Sequence, residues 1–136
     1  MASFNKFQSF VEKLAEKAHN LGSDQLVVAL TNVAPVNTNT VLADLTEISY
    51  THLSSRNITT ASSTQTAGTY KLTLTDLVLT ASGGDVGPFR YIVIYNDTAT
   101  NDELLCWFDY GSSISINDTE SLSLDFSAAD GILQVA

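Results

Sequence analysis

Residues 4–21 carry the helical period of this chain. Phe4, Phe7, Val11, Leu14, Ala18 and Leu21 recur at steps of three and four, which gathers them on one stripe of a helix. Ser3 stands where an N-cap belongs, and Gly22 where a left-handed C-cap residue belongs. Lys6, Glu12, Lys13, Glu16 and Lys17 fall off the stripe. A helix of this kind either covers a sheet or docks against another subunit. On the second reading Phe4, Phe7, Val11 and Leu14 form the interface.

From residue 25 the period changes to two. Residues 25–31 (QLVVALT) are apolar on both faces and read as a central strand. Residues 32–40 (NVAPVNTNT) are a loop, residues 41–48 hold at most a short helical turn, and residues 49–55 read as an exposed loop. Residues 57–63 form a thin edge strand. Residues 69–75 (TYKLTLT) alternate, with Tyr70, Leu72 and Leu74 on one face, and residues 77–81 follow as a further strand. A turn at 82–88 (SGGDVGP) leads to an apolar strand at 89–96, a polar loop at 97–102 and a partner strand at 104–110. Short strands follow at 113–116, 121–126 and 132–135, separated by turns at 117–120 and at Asp130-Gly131. About eight strands at this spacing predict a mainly β protein, an antiparallel β-sandwich of the jelly-roll kind with one N-terminal amphipathic helix. One domain spans residues 1–136, with the helix at 4–21 and the β body at 25–136.

The hairpin around residues 97–102 allows a register to be written. With Asn96 opposite Glu103, Arg90 faces Asp109, Ile92 faces Trp107 and Ile94 faces Leu105. Tyr91, Val93 and Tyr95 then share the other face with Leu104, Cys106 and Phe108. Arg90 and Asp109 end one row as an ion pair.

Composition adds to this picture. Thr and Ser number 16 and 15, which suits half-exposed strands better than helices. The formal net charge is −9. Residues 1–22 contribute three Lys against two Glu, so the rest of the chain carries the acidity. Phosphate backbones are bound by clustered Lys and Arg, which this chain lacks, so neither nucleic acid nor an anionic membrane surface is an expected partner. A single cysteine, Cys106, excludes an internal disulfide. The first twenty residues lack the continuous apolar run of a secretory signal. The three Asn-x-Thr sequons at Asn57, Asn96 and Asn117 therefore read as coincidences of a Thr-rich chain.

Catalytic chemistry finds little foothold. His19 and His52 have no second ligand at metal spacing, and no nucleophile elbow occurs. The GGDVG segment lacks the Lys-Ser/Thr of a phosphate-binding loop and reads as a tight turn. Asp76, Asp85, Asp97, Asp102, Asp118 and Asp130 sit at turns, where Asp bonds local backbone; a weak calcium site among them is the alternative. Cys106 reads as a small buried hydrophobe. Trp107, Tyr91 and Tyr95 either pack in the core or line a sugar-binding face. The chain reads as non-enzymatic, without cofactor or metal.

Several segments together resemble a family of small tailed-bacteriophage virion proteins. They are the opening FNKFQSFVEKLAEKAHNLGSDQLVVALTNVAPVNTNTVLADLTEI, the blocks ASGGDVGPFRYIVIYND and WFDYGSSISINDTESLSLDF, the stretch TYKLTLTD and the ending GILQVA. The matching positions include Gly83, Gly84, Gly87, Pro88, Phe89, Arg90, Tyr91, Trp107, Asp109, Tyr110, Gly111 and Ser112. Residues 49–65 depart from the family's glycine-rich loop, and Cys106 and Phe108 stand where Gly and Trp are usual. The resemblance implies a cement, or decoration, protein on the outside of an icosahedral capsid. Its implied partners are the major capsid protein and two further copies of itself in a trimer. It brings no catalytic residue. Alternatives within the same setting are a tail, neck or fibre-attachment component, or a carbohydrate-binding module on the virion surface.

Overall fold

The computed structural model describes residues 3–127 and 129–136. Among them, ten strands pair antiparallel throughout, with one short α-helix. The strands are β1 (Ser3–Lys6), β2 (Leu26–Thr31), β3 (Asn57–Ile58), β4 (Thr60–Thr66), β5 (Thr69–Leu74), β6 (Leu77–Thr80), β7 (Val86–Asn96), β8 (Leu104–Ile116), β9 (Ser121–Leu124) and β10 (Leu133–Val135); the helix α1 is Ser9–Ala15. A five-stranded sheet runs β1-β8-β7-β2-β3. Smaller sheets run β10-β5-β4 and β6-β9. The architecture is mainly β and sandwich-like, as the alternating pattern predicts, with ten strands where about eight are expected.

The main core lies between the sheets. Leu26, Val28, Leu30, Ile92 and Ile94 of the large sheet meet Leu72, Leu74, Leu79 and Leu124 of the small ones. Burying one such side chain stabilises the fold by about 1.5–3 kcal/mol. A second cluster covers the opposite face of the large sheet. Val27, Ala29, Val93, Tyr95, Leu104 and Trp107 of this face are roofed there by Phe7, Leu42 and Leu45. Two covered faces explain why every residue of β2 is buried and why its sequence is apolar without alternation. The length of its edge that β3 leaves unpaired is closed by the loop before β3: Ile48 N–H donates to Leu30 O (3.0 Å) and Arg56 Nη1 to Val28 O (2.7 Å). The loop expected to be exposed at 49–55 is therefore partly packed. The Tyr50 hydroxyl accepts from Leu30 N–H at 2.9 Å, and the Arg56 guanidinium lies 3.7 Å above the Tyr50 ring.

The N-terminal helix is much shorter than residues 4–21 suggest. Ser3 opens β1 rather than capping a helix, and Phe4 pairs with Phe108 along the edge of β8. Pairing an open sheet edge outweighs the local helical period over these residues. Helix α1 ends at Ala15, well before Gly22. Lys17 takes the left-handed conformation (φ +70°), while Ala18 N–H reaches back to Lys13 O at 2.9 Å and Lys17 N–H to Leu14 O at 3.4 Å. These are the bonds of a Schellman stop, with Lys in the place glycine usually takes.

The β7–β8 hairpin forms where expected, with Asn96 N–H donating to Glu103 O at 2.9 Å. Its register is corrected by one residue. Tyr95 faces Leu104, but Ile94 faces Cys106, so Leu105 is left over as a bulge in β8. A one-residue slip exchanges faces. Ile92 therefore faces Phe108 rather than Trp107, Val93 faces Trp107, and Tyr91 faces Asp109. The segment 113–116 continues β8, and Val86–Pro88 belong to β7 rather than to a turn.

Candidate functional site

The residues expected on one helical stripe are dispersed. Phe4 lies on β1, 47% exposed, with its ring edge-on to Phe108 at 5.6 Å. Phe7 is fully buried in the outer cluster, which removes it from any interface. Val11 is 50% exposed on α1, and Leu14 packs partly against the main core. Phe4, Val11 and Leu14 do come together, as walls of an apolar groove of about 570 Å³ between β1, α1 and β10. Leu105, Leu133 and the half-exposed Val135 complete it. Three of the four expected interface residues thus border one groove by a route that helical spacing does not reveal.

The hairpin residues build a structural unit. Gly87 adopts φ +122°, and a Cβ there would stand 3.0 Å from Ile114 O, so only glycine fits without strain. Phe89 is fully buried. Arg90 pairs with Asp109 through Nε–Oδ1 at 2.8 Å and Nη2–Oδ2 at 3.1 Å. The ion pair forms as the hairpin reading predicts, although Tyr91 rather than Arg90 faces Asp109 in register. The Arg90 bond, followed by the Gly111 N–H, holds the Asp109 carboxyl below the ordinary carboxylate range. Trp107 is half-buried, stands at 70° to the Tyr91 ring and donates through Nε1 to Asn37 Oδ1 at 3.2 Å. These two rings present no flat shared platform for a sugar. Tyr110 is exposed beyond them, and Pro88 follows Gly87 in the strand.

The glycine-rich turn packs against a histidine ring. The His52 ring lies so close over Gly84 that a Cβ there would meet it at 2.6 Å. Gly83 N–H is taken by Asp118 Oδ1 and Asp118 N–H by Asp85 Oδ1. Asp118 and Asp85 thus tie two turns far apart in the chain to each other, rather than bonding their own local backbone as expected of turn Asp residues. Among the described residues, no group of three or more His, Cys, Asp or Glu is placed to hold a metal. The Cys106 thiol is wholly buried, and burial pushes it up to about 12, far from a reactive thiolate.

A further feature lies on the other side of α1. A cleft of about 900 Å³ is bounded by the segment after α1, the loop 98–101 and residues of β4, β5 and β10. His19 and Glu103 are part of its wall and are only 5% and 6% exposed. Asn96 organises this wall. Its Oδ1 accepts the N–H groups of Thr98 and Ala99 at 3.0 and 3.1 Å, which fixes the amide orientation. Its Nδ2 then donates to Asp24 Oδ2 at 2.7 Å and to His19 Nδ1 at 3.0 Å. His19 Nδ1 is therefore an acceptor, and the ring proton sits on Nε2. Burial lowers the His19 pKa, opposed by Asp24 and assisted by Lys13, which keeps the ring neutral. Nε2 is buried without a partner, and so is Glu103 Oε2. Comparison with family models, with curated proteins and with solved structures finds no match to this chain.

Proposed function

We propose that this chain is a non-enzymatic structural protein of a tailed-bacteriophage virion: a cement protein that sits as a trimer on the outer surface of the icosahedral capsid and ties major capsid subunits together. The resemblance of its segments to small virion proteins supplies the setting. The structural observation that carries the reading is the apolar groove with half-exposed Phe4, Val11 and Val135 on its rim. Exposed apolar side chains gathered around one groove mark a surface for protein contact, and we assign it to the capsid subunit. A sandwich whose large sheet is covered on both faces suits a static part. Many copies bound at once would let modest contacts add up. The acidic body disfavours a place against the packaged genome.

Quantitative mass spectrometry of purified virions tests this. A ratio near one copy per major capsid subunit is expected. A ratio far below that moves the chain to the tail or neck, and absence from the particle ends the structural reading. Phe4→Ser with Val11→Ser is expected to abolish addition to capsids while leaving the thermal unfolding of the free protein nearly unchanged, because both side chains are already half in water.

A further inference from the structure

We infer that the cleft beside His19 and Glu103 is a binding site for one basic residue, Arg or Lys, of a partner protein. Among the described residues Glu103 Oε2 is buried without a hydrogen-bond partner, in a residue only 6% exposed. A carboxylate oxygen taken from water without a donor is costly to the fold, and a cationic donor would complete it. Its neighbours in the wall are fixed for other work. Asp24 accepts from Asn20 N–H and Asn96 Nδ2, and Asn96 uses both amide hydrogens. The cleft is large enough for a long side chain.

His19 narrows the choice of cation. Its Nε2–H is buried, unpartnered and in need of an acceptor. A basic residue within a peptide carries both a cationic head for Glu103 and a main-chain carbonyl for His19. A polyamine carries donors only, and a bare divalent cation would find no cluster of ligands here. The net charge of −9 draws basic groups toward this protein from a distance. Lys17, exposed on the rim of the same cleft, is the internal competitor that an experiment must separate.

The test is an NMR titration of the intact chain with N-acetyl-arginine-methylamide, with spermidine and guanidinium chloride as comparison probes. The expected result is a saturable shift of the Thr100, Asn101 and Glu103 amides, with a dissociation constant on the order of 1–10 mM. Glu103→Gln is expected to weaken it tenfold or more while melting at or above the wild-type temperature, since the variant removes a buried acceptor that has no donor in the free protein. Shifts that survive Glu103→Gln would show general attraction to the acidic body and overturn the site. A Glu103→Gln protein that melts well below wild type would make Glu103 a structural residue and overturn it as well. Tighter binding of spermidine than of the arginine derivative would overturn the protein side chain as occupant. Lys17→Met closes the set: destabilisation that disappears in the Glu103→Gln background would mean that Lys17 already neutralises Glu103, which also overturns the proposal.

Discussion

The two faces of the five-stranded sheet are covered by different means. The inner face is sealed by other strands, so Leu26, Val28, Leu30, Ile92 and Ile94 meet regular rows of Leu72, Leu74, Leu79 and Leu124. The outer face, which includes the Trp107 indole of β8, is roofed by Phe7 from a connector and by Leu42 and Leu45 from the segment before β3. The roof is held by isolated bonds, Gln8 N–H to Asn37 O at 2.9 Å and Leu42 N–H to Asp102 O at 3.0 Å. A strand ladder gives way as a unit, whereas a loop roof can open locally. Equal burial on the two faces therefore does not mean equal rigidity.

Large-to-small substitution probes this contrast most strongly. Phe89 and Phe7 are both fully buried, one on each face. Phe89→Ala is expected to cost about 4 kcal/mol and Phe7→Ala about 3 kcal/mol, because a loop roof can settle into the void more readily than packed sheets. Urea unfolding measures both, and an equal or larger cost at Phe7 would erase the distinction. A smaller effect follows from Trp107→Phe, which keeps the ring contact but removes the bond to Asn37. About 1 kcal/mol or less is expected, together with faster amide exchange at residues 37–42 and none at β5. Spread of the change into β5 would mean that the roof and the inner core open together.

Acidification gives the smallest and most local effects. The His19 pKa lies below its ordinary 6.5, so the folded state resists the charge that the unfolded chain accepts. Stability is complete above pH 6.5 and declines as pH falls from there toward the folded value. Asp109 lies below its ordinary 3.8 through Arg90 and Gly111. Its contribution is present above pH 3.8 and is lost as pH falls through the folded value. Melting temperatures across pH should show the first decline removed by His19→Gln and the second by Asp109→Asn. The two residues lie in different parts of the molecule, so neither variant should alter the other's window.

Alternation and turn residues made the β body legible. The rows Tyr70, Leu72, Leu74 and Leu122, Leu124 appear in the sequence as they do in the strands, and the unbroken apolar run of β2 announces a strand covered on both faces. The single residue Leu105 was not legible. LLC at 104–106 reads equally well with or without a bulge, and only packing on both faces decides that Leu105 and Cys106 both turn to the inner core. The N-terminal stripe misled for a related reason. Phe4 and Phe7 fit a helix locally, but the edge of β8 supplies backbone partners that local spacing does not register. The polar cleft was half legible: the hairpin reading sets Asn96 opposite Glu103, but His19 lies 77 residues from Asn96 and joins them only through the segment after α1.

The pairing of β1 with β8 has a temporal consequence. Lys6 finds its partner, Cys106, only after about a hundred further residues have been synthesised. At ribosomal rates of about 5–20 residues per second the first strand waits roughly 5–20 s for the strand it borders. β2 likewise waits for β7, and β5 for β10. Contacts this distant make folding slow and leave apolar segments such as LVVALT unprotected in the growing chain. β1 is thus joined to the sheet only after β8, about a hundred residues further on, has been made.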